Sequence, residues 1–175
     1  MFGGNVYKEK DSKLFANIEG AMFKQIVLGV KVGEYIVLAT EISEVFLVCL
    51  QTKTIIDTLH EVTPITAMCH VCKLLVLMSH GGGWLSCWNI VEGKFKQTAM
   101  IKSLAAGEVS RITHSPNQEE GEVIMASNRG CIFARVDEKG YIVEELFEMY
   151  FNNKPLACIG WYNFKKYFAA PRTAK

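Results

Sequence analysis

Cys69-His70-Val71-Cys72 is the sharpest local constellation in this chain of 175 residues. Two thiols and an imidazole suggest zinc, but a structural zinc site needs four ligands and no second pair stands at suitable spacing. A redox pair would precede a helix in a βαβ unit, whereas this one ends a β-branched, apolar run. Cys69 is therefore expected as a buried strand residue and Cys72 as a turn residue. Gly81-Gly82-Gly83 has the composition of a phosphate cradle. Such a cradle converges its N–H groups at a helix N-terminus, and the segment that follows, Trp84-Leu85-Ser86-Cys87-Trp88, reads as a strand. The glycines then serve a tight turn needing positive φ. The histidines at 60, 70, 80 and 114 have no acid or nucleophile beside them in a known arrangement. His60 is expected in a structural hydrogen bond, and His80 and His114 in turns or loops. No lipase-type, kinase or HExxH motif appears. No catalytic residue, cofactor or metal is expected.

The elements that would position these residues are strands. No segment carries an i, i+3, i+4, i+7 apolar stripe with caps at both ends. Short β-branched or aromatic runs alternate with Gly/Asn/Ser/Lys clusters instead. The runs recur. Phe46 to Gln51, Trp84 to Asn89 and Ile132 to Asp137 begin 38 and 48 residues apart. Before them stand Tyr35 to Ala39, Leu74 to Met78 and Val123 to Ser127. Before those stand Gln25 to Val30, Ile65 to Cys69, Val109 to Thr113 and, a fourth time, Leu156 to Gly160. Thr54 to Leu59, Lys94 to Met100 and Tyr141 to Phe147 close the units. Four strands in roughly 40–45 residues is the period of a propeller blade. The longer third unit holds its excess in Asn117 to Gly121, an enlarged turn.

These units resemble divergent WD40 repeats. Val109-Ser110, Ser115-Pro116-Asn117, Met125-Ala126-Ser127-Asn128, Gly130 and Val136-Asp137 carry the likeness in the third unit, and Trp88-Asn89 stands at the family's Trp-Asp position in the second. The resemblance places His60 at the Gly-His position and Ser79 at the hydroxyl position of a structural Trp–Ser–His–Asp network, with the Asp missing. It covers roughly residues 23 to 170. The form Ile65-x-x-Met68-Cys69 is similar to propellers appended to large signalling proteins, Roco-type kinases and Rho exchange factors. The expected fold is all-β, a propeller or partial propeller of about four WD40-like blades of four antiparallel strands. Residues 1–175 form one domain, with blades at 23–62, 63–107 and 108–152 and an incomplete blade at 153–175.

Residues 5–22 are expected to supply strands that complete that last blade. Gly4 to Asp11 aligns with Gly130 to Asp137, and Val6 lies 40 residues before Phe46. Lys8 and Lys10 fit a buried face poorly, which suggests an exposed edge. The chain closes alone as four blades, pairs with a second copy into eight, or is completed by another chain.

Nineteen basic and 18 acidic side chains give a net charge of +1, with no electrostatic footprint for nucleic acid or an anionic membrane. The first ten residues lack the pattern of a signal peptide. Apolar runs fall far short of the roughly 20 residues a spanning helix needs, and the six cysteines sit in apolar segments without glycosylation sequons. A reducing, cytoplasmic setting is expected. What the resemblance implies is a non-catalytic scaffold or regulatory module binding a protein partner through loops. The alternatives are a fragment of the regulatory propeller of a larger signalling enzyme, acting by docking or dimerisation, and a propeller enzyme with a central-channel site. Candidate interface residues are Pro64, His80, Glu108 and Lys154 in loops, and Trp161 and Tyr162 beside a lysine-containing turn. Trp84, Trp88, Phe46, Phe133 and Phe95 are expected between blades.

Overall fold

The computed structural model describes residues 4–7, 14–18, 25–103, 108–115, 121–127, 130–147, 156–163 and 166–171, all in strands or in the turns and links between them. In chain order the strands are β1 (Gly4–Tyr7), β2 (Leu14–Ile18), β3 (Ile26–Val32), β4 (Tyr35–Thr40), β5 (Glu44–Cys49), β6 (Ile55–His60), β7 (Ile65–His70) and β8 (Leu75–His80). They continue with β9 (Trp84–Val91), β10 (Lys94–Lys102), β11 (Val109–His114), β12 (Glu122–Ser127), β13 (Gly130–Val136), β14 (Ile142–Phe147), β15 (Leu156–Asn163) and β16 (Lys166–Pro171). These fall close to the runs expected from sequence.

Each complete unit is a four-stranded antiparallel meander in sequence order: β3 to β6, β7 to β10 and β11 to β14. They are called blades 1, 2 and 3. The first strands stand side by side, β7 packing on β3 and on β11, while β15 packs on β11 and β12. This is the stacking of propeller blades around an axis. β15–β16 and β1–β2 are separate two-stranded sheets, and no pairing joins them among the described strands.

The middle strands of a blade are buried on both faces, which is why they read as unbroken apolar runs. In blade 1, Val37, Ala39, Val45 and Leu47 pack against Ile65, Val76, Met78 and Ile90 of blade 2. Their neighbours Leu38, Phe46 and Val48 form a separate cluster on the opposite face. In blade 2, Leu75, Leu77, Leu85 and Cys87 meet Val109, Ile112, Val123, Met125 and Ile132 of blade 3. Burying one such side chain contributes roughly 1.5–3 kcal/mol. The outer strands are half-exposed, and β10 carries Lys94, Lys96 and Lys102, which discourage pairing at a free edge.

Candidate interaction rim and the network behind it

Alternating strands put the second-to-third turns and the blade 1-to-blade 2 link on one rim in blades 1 and 2. In blades 1 and 2 that rim holds residues 41–43, 61–64 and 81–83, and Ser103 and Glu108 flank the next link. Backbone bonds stitch these segments together. Glu61 N–H donates to the Ser43 carbonyl at 2.9 Å, Gly81 N–H to Pro64 at 2.9 Å and Ser103 N–H to Gly83 at 2.9 Å. Gly82 and Gly83 both have φ near +78°, so the triple glycine is the turn that its composition suggested. Three large apolar side chains lie open on this rim: Val62 at 98% exposure, Ile42 at 56% and Trp84 at 40%. The Lys102 ammonium stands 5.1 Å above the Trp84 ring and donates to the Gly82 carbonyl. Trp84 is thus a rim residue, not the inter-blade core residue expected from sequence.

Behind the rim lies a polar network. The Trp88 indole N–H donates to Ser86 Oγ at 2.8 Å, and Ser86 Oγ lies 2.6 Å from His80 Nε2. His80 Nδ1 faces Glu61 Oε2 at 3.8 Å and has no hydrogen-bond partner of its own. Burial lowers the His80 pKa, keeping the ring neutral, and raises that of Glu61. A serine hydroxyl can accept a second bond or donate one, so in the short contact with Nε2 the donor is either the Ser86 hydroxyl or the ring N–H. Trp88 meets Phe95 edge-on at 6.2 Å, and the Phe95 N–H donates to Asp57 Oδ2 at 2.7 Å.

This network corrects two expectations. His60 does not enter it. Its side chain is 73% exposed and stands 3.5 Å from Glu44. Ser79 bonds Thr66 Oγ1 at 3.0 Å. The imidazole and the hydroxyl come instead from His80, at the end of the second strand, and Ser86, on the third. Glu61, in the link between blades 1 and 2, stands 3.8 Å from the His80 ring. The physical reason is register. His80 pairs with Trp84 and Met78 with Ser86, so residues 80, 86 and 88 share one face of a hairpin closed by three glycines. His-x5-Ser-x-Trp across a glycine turn is the signal that would have revealed it.

Ser86, His80 and Glu61 have the order of a nucleophile, base and orienting acid. Ser86 and His80 are each 1% exposed, so no substrate reaches the hydroxyl in this conformation. Ser86 ties the His80 ring to the Trp88 indole within blade 2, and the Glu61 side chain of the link faces that ring at 3.8 Å.

The remaining candidates are dispersed. Pro64 and Glu108 are exposed on the rim. His80 is enclosed within the sheet rather than held in an open turn. Lys154 lies outside the described residues. Trp161 and Tyr162 belong to β15, where Tyr162 falls at a register shift. Cys69 and Cys72 are both buried on the opposite rim's side of the seam. Cys69 lies 3.5 Å from His114 Nδ1, and burial pushes its thiol up to about 12. His114 ends β11 rather than sitting in a loop. Among the described residues no three His, Cys, Asp or Glu side chains gather closely enough to hold a metal ion.

No family model matches the chain, and no curated protein does. Solved structures do. The computationally designed Ika8 protein superposes with a TM-score of 0.66 at 14% identity, over 87% of this chain and 44% of its own. The Cps50 (Swd1) beta-propeller domain of Myceliophteria thermophila superposes at 0.64 with 11% identity, over 85% of this chain and 50% of its own. A chain of a mitotic checkpoint complex superposes at 0.54 with 13% identity, over 63% and 37%. The chain spans about half the length, or less, of these proteins. Sheet order, the packing of first strands and these likenesses agree: the fold is an all-β, partial β-propeller built of four-stranded blades.

Proposed function

We propose that this chain is a non-catalytic protein-interaction module, presenting the rim of its blades to a protein partner. The observation that carries this reading is that Ile42, Val62 and Trp84 are open to solvent on segments that backbone hydrogen bonds hold in fixed relation. Exposed aromatic and aliphatic side chains on a rigid frame are the usual anchors of an interface. The Ser86–His80–Glu61 alignment is enclosed, which supports a role without covalent chemistry. Free, buried thiols at Cys69, Cys72, Cys87 and Cys131 suit a reducing compartment, and the proposal places the protein in the cytoplasm. A photo-crosslinking residue at position 62, compared with one at Lys96 on β10, tests the reading in cells. A protein adduct formed at 62, absent at 96 and lost with Trp84→Ala supports it. Equal labelling at both positions, or none at 62, overturns it.

A second reading makes the chain a regulatory part of a larger signalling protein, of the kind found beside Roco kinases or Rho exchange factors. It is favoured by the chain's span of about half of the matched structures, which leaves further blades to be supplied by docking or dimerisation.

A further inference from the structure

We propose that a second copy of this chain completes the ring, with β16 of one copy taking β1 of the other as its third strand. This rests on the half-ring span and is independent of any partner on the rim.

The irregularities in strand pairing label each hairpin. In every complete blade the first strand carries one extra residue near its start, opposite the second strand. Ile26 and Leu28 pair with consecutive residues of β4, leaving Val27 over. Thr66 and Ser110 are left over in the same way. β15–β16 repeats this: Leu156 pairs with Pro171 and Cys158 with Ala170, leaving Ala157. The next three pairs, Ile159 with Ala169, Gly160 with Phe168 and Trp161 with Tyr167, follow those of β11–β12 one for one. Third-to-fourth pairs place an extra residue on the later strand instead, Ile56 in β6 and Thr98 in β10, while β13–β14 is regular. β1–β2 has its extra residue, Phe15, on the later strand. Bulges fix local twist and are built features, not noise. By this signature β15–β16 is the front half of a blade and β1–β2 the back half. β15 also packs on blade 3 as a first strand does.

The two halves are complementary in strand number and position, yet among the described strands no pairing joins them. The chain superposes over 85–87% of its length on 44% and 50% of two larger chains, and in a ring of twice its span the two halves of one copy would stand apart. Three blades and two halves fill four blade positions, so two copies fill eight. In that ring each β1–β2 meets the other copy's β15–β16, not its own. The outer edges of β16 and β1, unpaired among the described strands and of a kind prone to uncontrolled pairing, are then covered, and the twofold closes the assembly. Following β12–β13, in which Met125 pairs with Ile132, Ala169 stands opposite Val6 of the second copy.

The test uses the full chain. Light scattering is expected to give twice the chain mass. An equal mixture of unlabelled and nitrogen-15-labelled chains carrying Val6→Cys and Ala169→Cys, joined by a short bismaleimide and digested, is expected to yield a 6–169 peptide pair with one labelled and one unlabelled member. Val6→Pro, which removes an N–H from β1, is expected to halve the mass and leave the circular dichroism of the blades unchanged. A single-chain mass for the unaltered protein overturns the proposal. So does a 6–169 link found only within one chain, or a Val6→Pro protein that keeps the doubled mass.

Discussion

The Asp57 carboxylate of blade 1 accepts the backbone N–H of Phe95 of blade 2 at 2.7 Å. It is a bond between outer strands of different sheets, where no ladder exists to satisfy that amide. At the next seam Thr66 Oγ1 donates to the Val109 carbonyl at 2.7 Å between inner strands. The seams are thus fastened by side chains reaching across to backbone, and apolar burial fills the space between.

Asp57→Ala strips the half-buried Phe95 amide of its acceptor. A charge-assisted bond of this kind contributes about 1.5–3 kcal/mol. Urea unfolding is expected to show a loss of about 1–2 kcal/mol with the m-value unchanged. An unchanged midpoint would mean that the seam is held by apolar contact alone.

Ser86→Ala removes the shared partner of Trp88 and His80. The buried His80 ring and the half-buried Trp88 indole lose their partner, for a combined cost of about 2–4 kcal/mol. The near-ultraviolet signal of Trp88 is expected to change with it, whereas Ser79→Ala, outside that network, leaves the signal intact.

Stability is expected to fall on the acid side. The folded His80 pKa lies below its usual 6.5 because of burial, so as pH drops through 6.5 the unfolded chain takes up a proton that the folded chain resists. Glu61 works in the opposite sense. Its folded pKa lies above the usual 4.5, so its contribution is present at low pH and is lost as pH rises through 4.5 toward the folded value. His80→Gln is expected to flatten the slope below pH 6.5, and Glu61→Gln to steepen it from pH 4.5 up to the folded Glu61 value. Unfolding midpoints measured from about pH 4 to 8 check both signs.

Cys49 is expected to react first among the described thiols. The N–H and hydroxyl of Thr52 and the N–H of Gln51 lower its pKa. Burial pushes Cys69 up to about 12 and Cys87 and Cys131 to about 11. Iodoacetamide at neutral pH, followed by peptide mass mapping, should find Cys49 labelled while those three remain free. Thr52→Ala should slow the labelling.

Gly140→Ala is expected to loosen the seam between blades 2 and 3. Gly140 has φ +85°, and an added Cβ would lie 2.1 Å from Thr98 Oγ1, the hydroxyl that reaches the Gly140 carbonyl at 3.3 Å. The strain and the lost approach predict a loss above 2 kcal/mol, read as a lowered Tm.

Strand positions were legible in the sequence because the middle strands are apolar on both faces and the turns between them are polar or glycine-rich. Val37-Leu38-Ala39 and Val45 to Val48 announce themselves. The network was not legible in its details. A spacing matched to the family put His60 and Ser79 in roles that pairing register gives to His80 and Ser86, and register depends on the two positive-φ glycines in the turn. Trp84 looked like core because it is large and begins a strand. It is nevertheless the last rung before the rim, opposite Lys102. Phe95 was expected between blades and does meet Trp88, but its tie to Asp57 crosses 38 residues and has no local signature.

Glu61 and Asp57 both belong to the stretch that closes blade 1, while His80, Ser86, Trp88 and Phe95 all belong to blade 2. Repeat proteins are usually described as a chain of units with nearest-neighbour couplings, and here the closing stretch of blade 1 adds two polar points of contact to the apolar seam, Asp57 on the Phe95 amide and Glu61 facing the His80 ring. The cooperative unit of opening is then the seam and not the blade. Amide exchange in β6, β9 and β10 should rise together, and a cut between residues 61 and 65 that separates the two blades should melt both sides of it.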